Sequence, residues 1–391
     1  MKYRKLGRTG LKVSEIGMGL EHLLPLEEPI VIDTIRTAIN GGVNYFDCLS
    51  GKDFAGESDI NGEYTKLGKA LDGFRDKVYI SFLANANRSD KDDFLDGTKN
   101  SFGCFLREVK TDRADIFMIA FCDKLTEFDR ITSDGLLDYA KKLQSENKVR
   151  FIGISTHSSD IAHKAIESGD FDVLMYPVNP AFDVVTNEEE YIENDLGKLW
   201  DAAYDYKSEN LENTDAKLIR KDIYTECVKN NIGLIVMKPF GGGFLFREDI
   251  NTGFTPLNLI AYALTQNGVS TVIPGCTNPQ QIGDILKYYD YKDSDYELDF
   301  SKAVSNSRWN IKGCCQYCNH CLPCSAGINI GQINRIIDNK SASEYKSLRI
   351  KASDCVKCGE CEKRCPFDVK ITERIDLAVK MFEQEQENIN S

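Results

Sequence analysis

Eight cysteines near the C-terminus fall into two spaced sets, and thiols arranged in this way do metal chemistry. One set is Cys355-x2-Cys358-x2-Cys361-x3-Cys365, followed directly by Pro366. The other is Cys315-x2-Cys318-x2-Cys321-x2-Cys324, a shorter variant of the same idea. Two intervening residues let a tight loop wrap a cubane, so three thiolates of one loop cap three irons. The fourth ligand usually comes from the other loop of the pair. The spacing therefore predicts two [4Fe-4S] clusters. One is assigned to Cys315, Cys318, Cys321 and Cys365, the other to Cys355, Cys358, Cys361 and Cys324. Gly359 suits a loop that turns closely around sulfide, and Pro366 fixes the chain direction after its ligand. A protein with such clusters moves electrons, so the expected function is redox.

A disulfide framework needs an oxidising compartment, and Met1-Lys2-Tyr3-Arg4-Lys5 leads into no apolar export segment. Zinc could occupy one set of four cysteines, but two zinc sites do not require the third Cys-x2-Cys step in each set. Cys314-x3-Cys318-x2-Cys321 also matches the radical-SAM cluster spacing. It competes for ligands that the first set needs, so Cys314 is read as a spare. His320, between Cys318 and Cys321, is a candidate for tuning the adjacent cluster, with an exposed loop histidine as the alternative.

The rest of the chain bounds what these clusters could serve. Its 391 residues suffice for one large domain and a small one, and a 42% hydrophobic share permits a sizeable core. No stretch approaches ~20 consecutive apolar residues, so no membrane span is expected. The net charge is −13, and from Ile311 onward 12 Lys+Arg stand against 11 Asp+Glu, leaving −14 on the part before. That acidity argues against nucleic acid and against anionic membrane surfaces. Fourteen cysteines without an export signal suggest a reducing cytoplasm, and exposed clusters an anaerobic host.

Before the clusters, short β-rich runs alternate with amphipathic helical stretches. The predicted strands are Val13–Gly17, Val43–Asp47, Lys77–Phe82, Asp115–Ile119, Val149–Ile154, Val173–Tyr176, Gly233–Met237 and Ser270–Ile273. Eight β-then-α units predict an α/β fold, a TIM (β/α)8 barrel, followed by a small α-helical dicluster domain. A doubly wound sheet is less apt, because no Gly-rich phosphate turn follows a strand. The expected layout is a barrel over 1–290, a linker over 291–310, a cluster domain over 311–380 and an acidic disordered tail over 381–391. Helices are expected at Ile328–Ile337 and Arg374–Gln384. The charged stretch from Asp183 to about Asp215 is read as a solvated excursion, with a lid or docking platform as the functional alternative.

Several segments resemble the aldo/keto reductase superfamily: Met1 through Ser14 at the opening, Gly42-Val43-Asn44-Tyr45-Phe46-Asp47, Lys148 through Ser155, and Thr271-Val272-Ile273-Pro274-Gly275. The tail resembles the ferredoxin-like extension of one bacterial branch. The resemblance implies carbonyl reduction by NAD(P)H, with a tyrosine as proton donor tuned by lysine and aspartate and a histidine orienting the substrate. Only the aspartate, Asp47, is matched. Lys52 stands at the tyrosine position, Leu83 at the lysine position and Ala120 at the histidine position. Tyr64 is a remote substitute. Leucine carries no charge and alanine donates no hydrogen bond, so ordinary carbonyl reduction is not expected. Ser155 and Gly275 remain as cofactor-binding candidates, but Thr156 replaces the usual asparagine, Met175 the usual glutamine, and no cation follows Gly275. NAD(H) or NADP(H) binding is thus poorly supported.

The polar candidates for catalysis at the barrel mouth are His22, Asp47, His157 and Lys238, with Lys52 beside them. A carboxylate, two imidazoles and an ammonium suit acid/base work near neutral pH. A Lys238–Asp47 pair without catalysis is the bland alternative. Cys104 and Cys227 are expected as buried helix residues, whereas Cys48, Cys122 and Cys276 follow strands and could line the pocket. The expected protein is an oxidoreductase whose clusters relay electrons between a ferredoxin-type partner and a small molecule in the barrel. The alternative is a catalytically degenerate barrel acting in electron transfer or sensing. Hydride transfer moves two electrons and a cluster one, so the barrel ligand must be able to split the pair.

Overall fold

The structure is a computed structural model, and it describes residues 1–49, 62–86, 94–185, 217–218, 220–246, 253–291, 315, 317, 319, 321–338, 340–365 and 369–384. The chain divides into two compact units. The first is Met1–Val184, Lys217–Phe240 and Gly253–Ala303, and the second Val185–Ala216, Gly241–Thr252 and Val304–Ser391. The linker expected over 291–310 lies outside the described residues except for Tyr291.

In the first unit an antiparallel hairpin, β1 (Tyr3–Lys5) and β2 (Lys12–Ser14), precedes the barrel strands. These are β3 (Met18–Gly19), β4 (Tyr45–Cys48), β5 (Tyr79–Asn85), β6 (Ala114–Ala120), β7 (Val149–Ser155) and β8 (Val173–Pro177). A ribbon of β9 (Val184–Val185) and β10 (Lys217–Leu218) intervenes before β11 (Gly233–Met237) and β12 (Val269–Val272). The eight barrel strands pair in chain order. Parallel bridges Ile16↔Val272 and Gly19↔Gly275 join the last strand to the first, so the sheet closes. The first strand corrects the expectation of Val13–Gly17: Val13 pairs with Arg4 in the hairpin, and the barrel strand begins at Met18. A β-rich run does not reveal which partner will claim it.

Strand alternation sorts the residues into two layers. Phe46, Phe82, Phe117, Ile154, Leu174 and Val236 point outward into the main hydrophobic core, where the amphipathic helices cover them. Phe82 meets Phe102 of the helix Phe94–Val109 edge-on at 5.1 Å, and Phe102 meets Phe117 at 5.9 Å. The alternate set, including Asp47, Ser81, Leu83, Asn85, Ala120, Ser155, Met175 and Met237, fills the barrel interior and is also buried.

The hairpin closes the N-terminal end. Arg8 donates to Asp172 at 2.9 Å and Arg4 to Glu15 at 2.8 Å. Gly7 has φ 48°, and a Cβ there would come within 2.2 Å of the Gly233 backbone nitrogen, so only glycine permits this approach. On the same end, buried Asp115 accepts from Arg75 at 3.2 Å and Arg150 at 2.9 Å.

The described part of the second unit is α-helical. Helices Ile330–Asp338, Ala342–Ser347, Glu360–Arg364 and Ile371–Val379 pack Ile333, Ile336, Ile375 and Ala378 into a small core. The last helix starts three residues before the expected Arg374 and continues as a π-turn over Lys380–Gln384. Residues 381–384, expected in a disordered tail, are therefore ordered, because Phe382 is buried in a stack on Tyr345 at 4.7 Å. Residues 385–391 lie outside the described residues.

Candidate active site and cysteine loops

The C-terminal ends of the barrel strands carry the candidate chemistry. Asp47 faces inward from β4, 6% exposed, and accepts a 2.6 Å hydrogen bond from Ser81 Oγ. The two residues are opposite in the β4–β5 register. Tyr45, two residues back on the same face, has its phenol raised well above the usual range, first by burial and then by the charge of Asp47. It is held protonated, the reverse of an activated acid. Beyond Asp47 the lining mixes polar Asn85 and Ser155 with apolar side chains. Leu83 sits opposite Met118, and Ser155 Oγ rests 3.7 Å from Met237 Sδ.

The loop after β7 holds His157, which is 8% exposed. Asp123, in the loop after β6, organises it. One carboxylate oxygen accepts from the His157 backbone at 2.6 Å and from Thr156 Oγ1 at 3.0 Å. The other lies 3.1 Å from His157 Nδ1. An ionised carboxylate only accepts, so this contact fixes the neutral ring as its Nδ1–H tautomer. Asp123 was missed in the sequence, since Cys122-Asp123-Lys124 matches no spacing rule; its position at a strand end was the available signal. Asp123→Ala is expected to cost about 2–3 kcal/mol, because it strands several buried donors. Thermal unfolding measures that loss, and Thr156→Val, which removes only one donor, should cost less.

The remaining candidates scatter. Lys238 follows β11 with φ 51°, and its carbonyl accepts from Asn179 at 2.8 Å. Among the described residues it forms no ion pair with Asp47. His22 is exposed on the turn after β3, 3.9 Å from Glu21, rather than directed into the barrel. Lys52 and His320 lie outside the described residues, as does the charged stretch over 186–216. Tyr64 packs against Phe105 in the outer layer at 5.2 Å, which removes it as an acid at the mouth. Cys48, Cys122 and Cys276 belong to the outer hydrophobic core rather than to the barrel lining. Burial pushes the Cys276 thiol up to about 12, so it is no nucleophile. Cys104 and Cys227 are buried on helices as expected.

The two cysteine loops of the second unit share a backbone geometry. In each, the residue two after the first cysteine has left-handed φ, 51° at Tyr317 and 54° at Lys357. Its amide donates back to that cysteine's sulfur at 3.4 Å, to Cys315 and Cys355 respectively. The residue two further on is again left-handed, Asn319 at 59° and Gly359 at 75°. Both left-handed side chains reach an acid on a helix that follows: Tyr317 donates to Asp338 at 2.6 Å, and Lys357 pairs with Asp376 at 2.9 Å. The loops also approach each other. Arg364, next to Cys365, donates to the carbonyls of Cys321 and Pro323, both at 2.7 Å. Burial raises the Cys361 thiol, and Cys324 is among the charges acting on it. Cys318 lies outside the described residues, and among those described no three His, Cys, Asp or Glu side chains gather around one ion position. A cubane instead spreads its thiolates, one to each iron.

Residues 15–193 match the model of the aldo/keto reductase family. An L-galactose dehydrogenase of Arabidopsis thaliana is 28% identical over 184 residues, covering 45% of this chain and 56% of that protein. An aldo-keto reductase of Bacillus halodurans in its holo form superposes with TM-score 0.54 at 16% identity, covering 78% of this chain and 96% of that one. The barrel has the aldo/keto reductase fold. A Klebsiella pneumoniae aldo-keto reductase in complex with NADPH gives 0.53 at 15% identity, covering 79% and 98%. The chain spans about half the length of the curated relatives it matches.

Within this aldo/keto reductase-type barrel, the β5 position expected to hold lysine needs refinement. The strand runs on to Asn85, so the inward residue at its end is Asn85, opposite Ala120, and not Leu83. Neither is a cation. Ser155 is buried at the end of β7 as expected. Thr156, at the position of the usual asparagine, is instead absorbed by Asp123. Around Gly275 a Cβ would meet nothing within 4 Å, so this edge is open to a ligand. The adjoining loop satisfies itself: Asn278 Oδ1 caps Gln281, and Gln281 Oε1 accepts from the Thr277 amide at 2.7 Å.

Proposed function

We propose that this chain is an iron–sulfur oxidoreductase built on an aldo/keto reductase-type barrel. Its two [4Fe-4S] clusters would relay electrons to or from a small molecule bound in the barrel. The observation that carries the reading is the repeated cysteine-loop geometry. Two loops with the same left-handed residues and the same amide-to-sulfur hydrogen bond form a matched pair of anionic sulfur cradles. The ligands are Cys315, Cys318, Cys321 and Cys365 for one cluster and Cys355, Cys358, Cys361 and Cys324 for the other. The hydrogen bond from Arg364, beside Cys365, to the Cys321 carbonyl supports this exchange of fourth ligands. Each cluster, when bound, takes up or passes on one electron.

In the barrel, this chain's residues bind and protonate. Asp47 and Ser81 form a hydrogen-bonded polar pair on a lining that also carries Asn85, Ser155 and the apolar Leu83, Ala120, Met175 and Met237, and this pair orients one polar end of a ligand. His157, set by Asp123, exchanges a proton at Nε2, and Lys238 supplies positive charge at the same end of the barrel. Reducing a carbonyl to an alcohol consumes two electrons and two protons; His157 passes on a proton only after taking one up at Nε2, and the second proton and both electrons come from outside these groups. The open edge at Gly275 admits a nicotinamide nucleotide, NAD(H) or NADP(H), with no cation to prefer the 2′-phosphate. A ferredoxin-type protein is the proposed external partner, and the cytoplasm the proposed location. Among the described residues, no helix is long and apolar enough to cross a membrane.

The apolar lining by Leu83, Ala120, Met175 and Met237 also supports a second reading, a barrel that has lost its chemistry and serves electron transfer or sensing. Anaerobic titration with NADH and NADPH separates the two. The enzyme reading expects one nucleotide to bleach the visible absorbance of the clusters. Intact clusters that answer neither nucleotide, in a protein that also turns over no carbonyl, favour the second.

A further inference from the structure

Resting on the two-cluster reading, we infer that Arg364 sets the two clusters apart in potential, and that the cluster of Cys315, Cys318, Cys321 and Cys365 is the better electron acceptor. Arg364 Nη2 is spent on two carbonyls, those of Cys321 and Pro323. Its Nε is buried and has no hydrogen-bond partner among the described residues. A buried guanidinium N–H without an acceptor costs about 1–3 kcal/mol or more, so a native structure supplies one. Arg364 precedes one ligand of this cluster and is bonded to the carbonyl of another, so cluster or thiolate sulfur is the acceptor at hand.

The second loop offers no counterpart. The residue before its exchanged ligand Cys324 is Pro323, which has neither charge nor side-chain donor. The nearby cations of that loop are exposed and already paired, Lys357 with Asp376 and Lys363 with Glu360. Reduction adds one negative charge to a cluster. A half-buried cation whose Nε donates to sulfur stabilises the reduced form, and so raises the potential of the one cluster it touches.

The test is a redox titration of the full chain, purified without oxygen, followed by electron paramagnetic resonance, with iron and sulfide counted in every sample. Wild type should show two separate midpoints. Arg364→Gln should move the upper midpoint down by at least tenfold in the reduction equilibrium, about 59 mV for one electron, and leave the lower in place. Arg364→Lys, which keeps the charge, should recover part of the shift. If Arg364→Gln loses a cluster, wild type grown on 15N-arginine decides instead: nitrogen coupling is expected on the higher-potential cluster alone. Clusters present with unchanged midpoints, both midpoints shifting equally, or no nitrogen coupling would each overturn the inference. Absence of iron from wild type would overturn the underlying reading as well.

Discussion

Arg220→Ala lowers the stability of the barrel unit by about 3–5 kcal/mol, a drop in melting temperature on the order of 10 °C. Arg220 and Asp183 lie far apart in the sequence and meet in the structure, with Nη1 3.7 Å from Oδ1. Both are buried, at 5% and 0% exposure. Around them Arg220 Nε donates to Tyr176 at 2.6 Å, while Tyr224 and Tyr262 donate to Asp183 at 2.8 and 3.1 Å. Removing the guanidinium leaves a carboxylate in a dry site with two phenols for company. Truncating one member of such a pair costs far more than the pair itself contributes.

The loss should depend on pH, with a defined sign. Burial pushes the Asp183 carboxyl up to about 6, although Arg220 and the tyrosine hydroxyls pull it down. A carboxyl raised in the folded state contributes stability that is present below its unfolded value, near ~3.9, and is lost as pH rises through the folded value. Without Arg220 the folded value climbs further, so the variant loses more than wild type between about pH 5 and 8. The stability gap therefore widens toward alkaline pH. Chemical denaturation of both proteins at pH 5 and 8 checks this, and a gap that narrows would contradict it.

The second large effect concerns the clusters. Cys365→Ala should halve the iron, from about eight to about four per chain, and the cluster lost should be that of the first loop. Cys324→Ala should give the same count and remove the other cluster. The proposed exchange is supported by Arg364, beside Cys365, donating to the Cys321 carbonyl at 2.7 Å. Resonance signals of the reduced variants identify which cluster survives. If each substitution instead removed the cluster of its own loop, the ligands would not be exchanged.

Legibility in the sequence followed the strength of local pattern. Gly233–Met237 was bounded correctly because a β-branched and aliphatic run starts at a glycine and stops before Lys238-Pro239. The two-residue strand Met18–Gly19 was missed, since its partners are supplied by β4 and β12 and not by its own composition. Asp47 was legible because a strand-end aspartate lay within a recognisable segment. Asp123, Asn85 and the Asp183–Arg220 pair were not. Their roles come from side chains brought together across loops and strands, which no spacing rule encodes. The cysteine sets stand out in the sequence by their regular spacing, whereas the left-handed geometry of their loops and the orphaned Nε of Arg364 appear only in three dimensions.

Elemental analysis tests most directly whether this chain carries two clusters. Iron and acid-labile sulfide would be quantified per chain in protein purified without oxygen. The account predicts about eight of each. Zinc in place of iron, or iron near four in the unmutated chain, would contradict it.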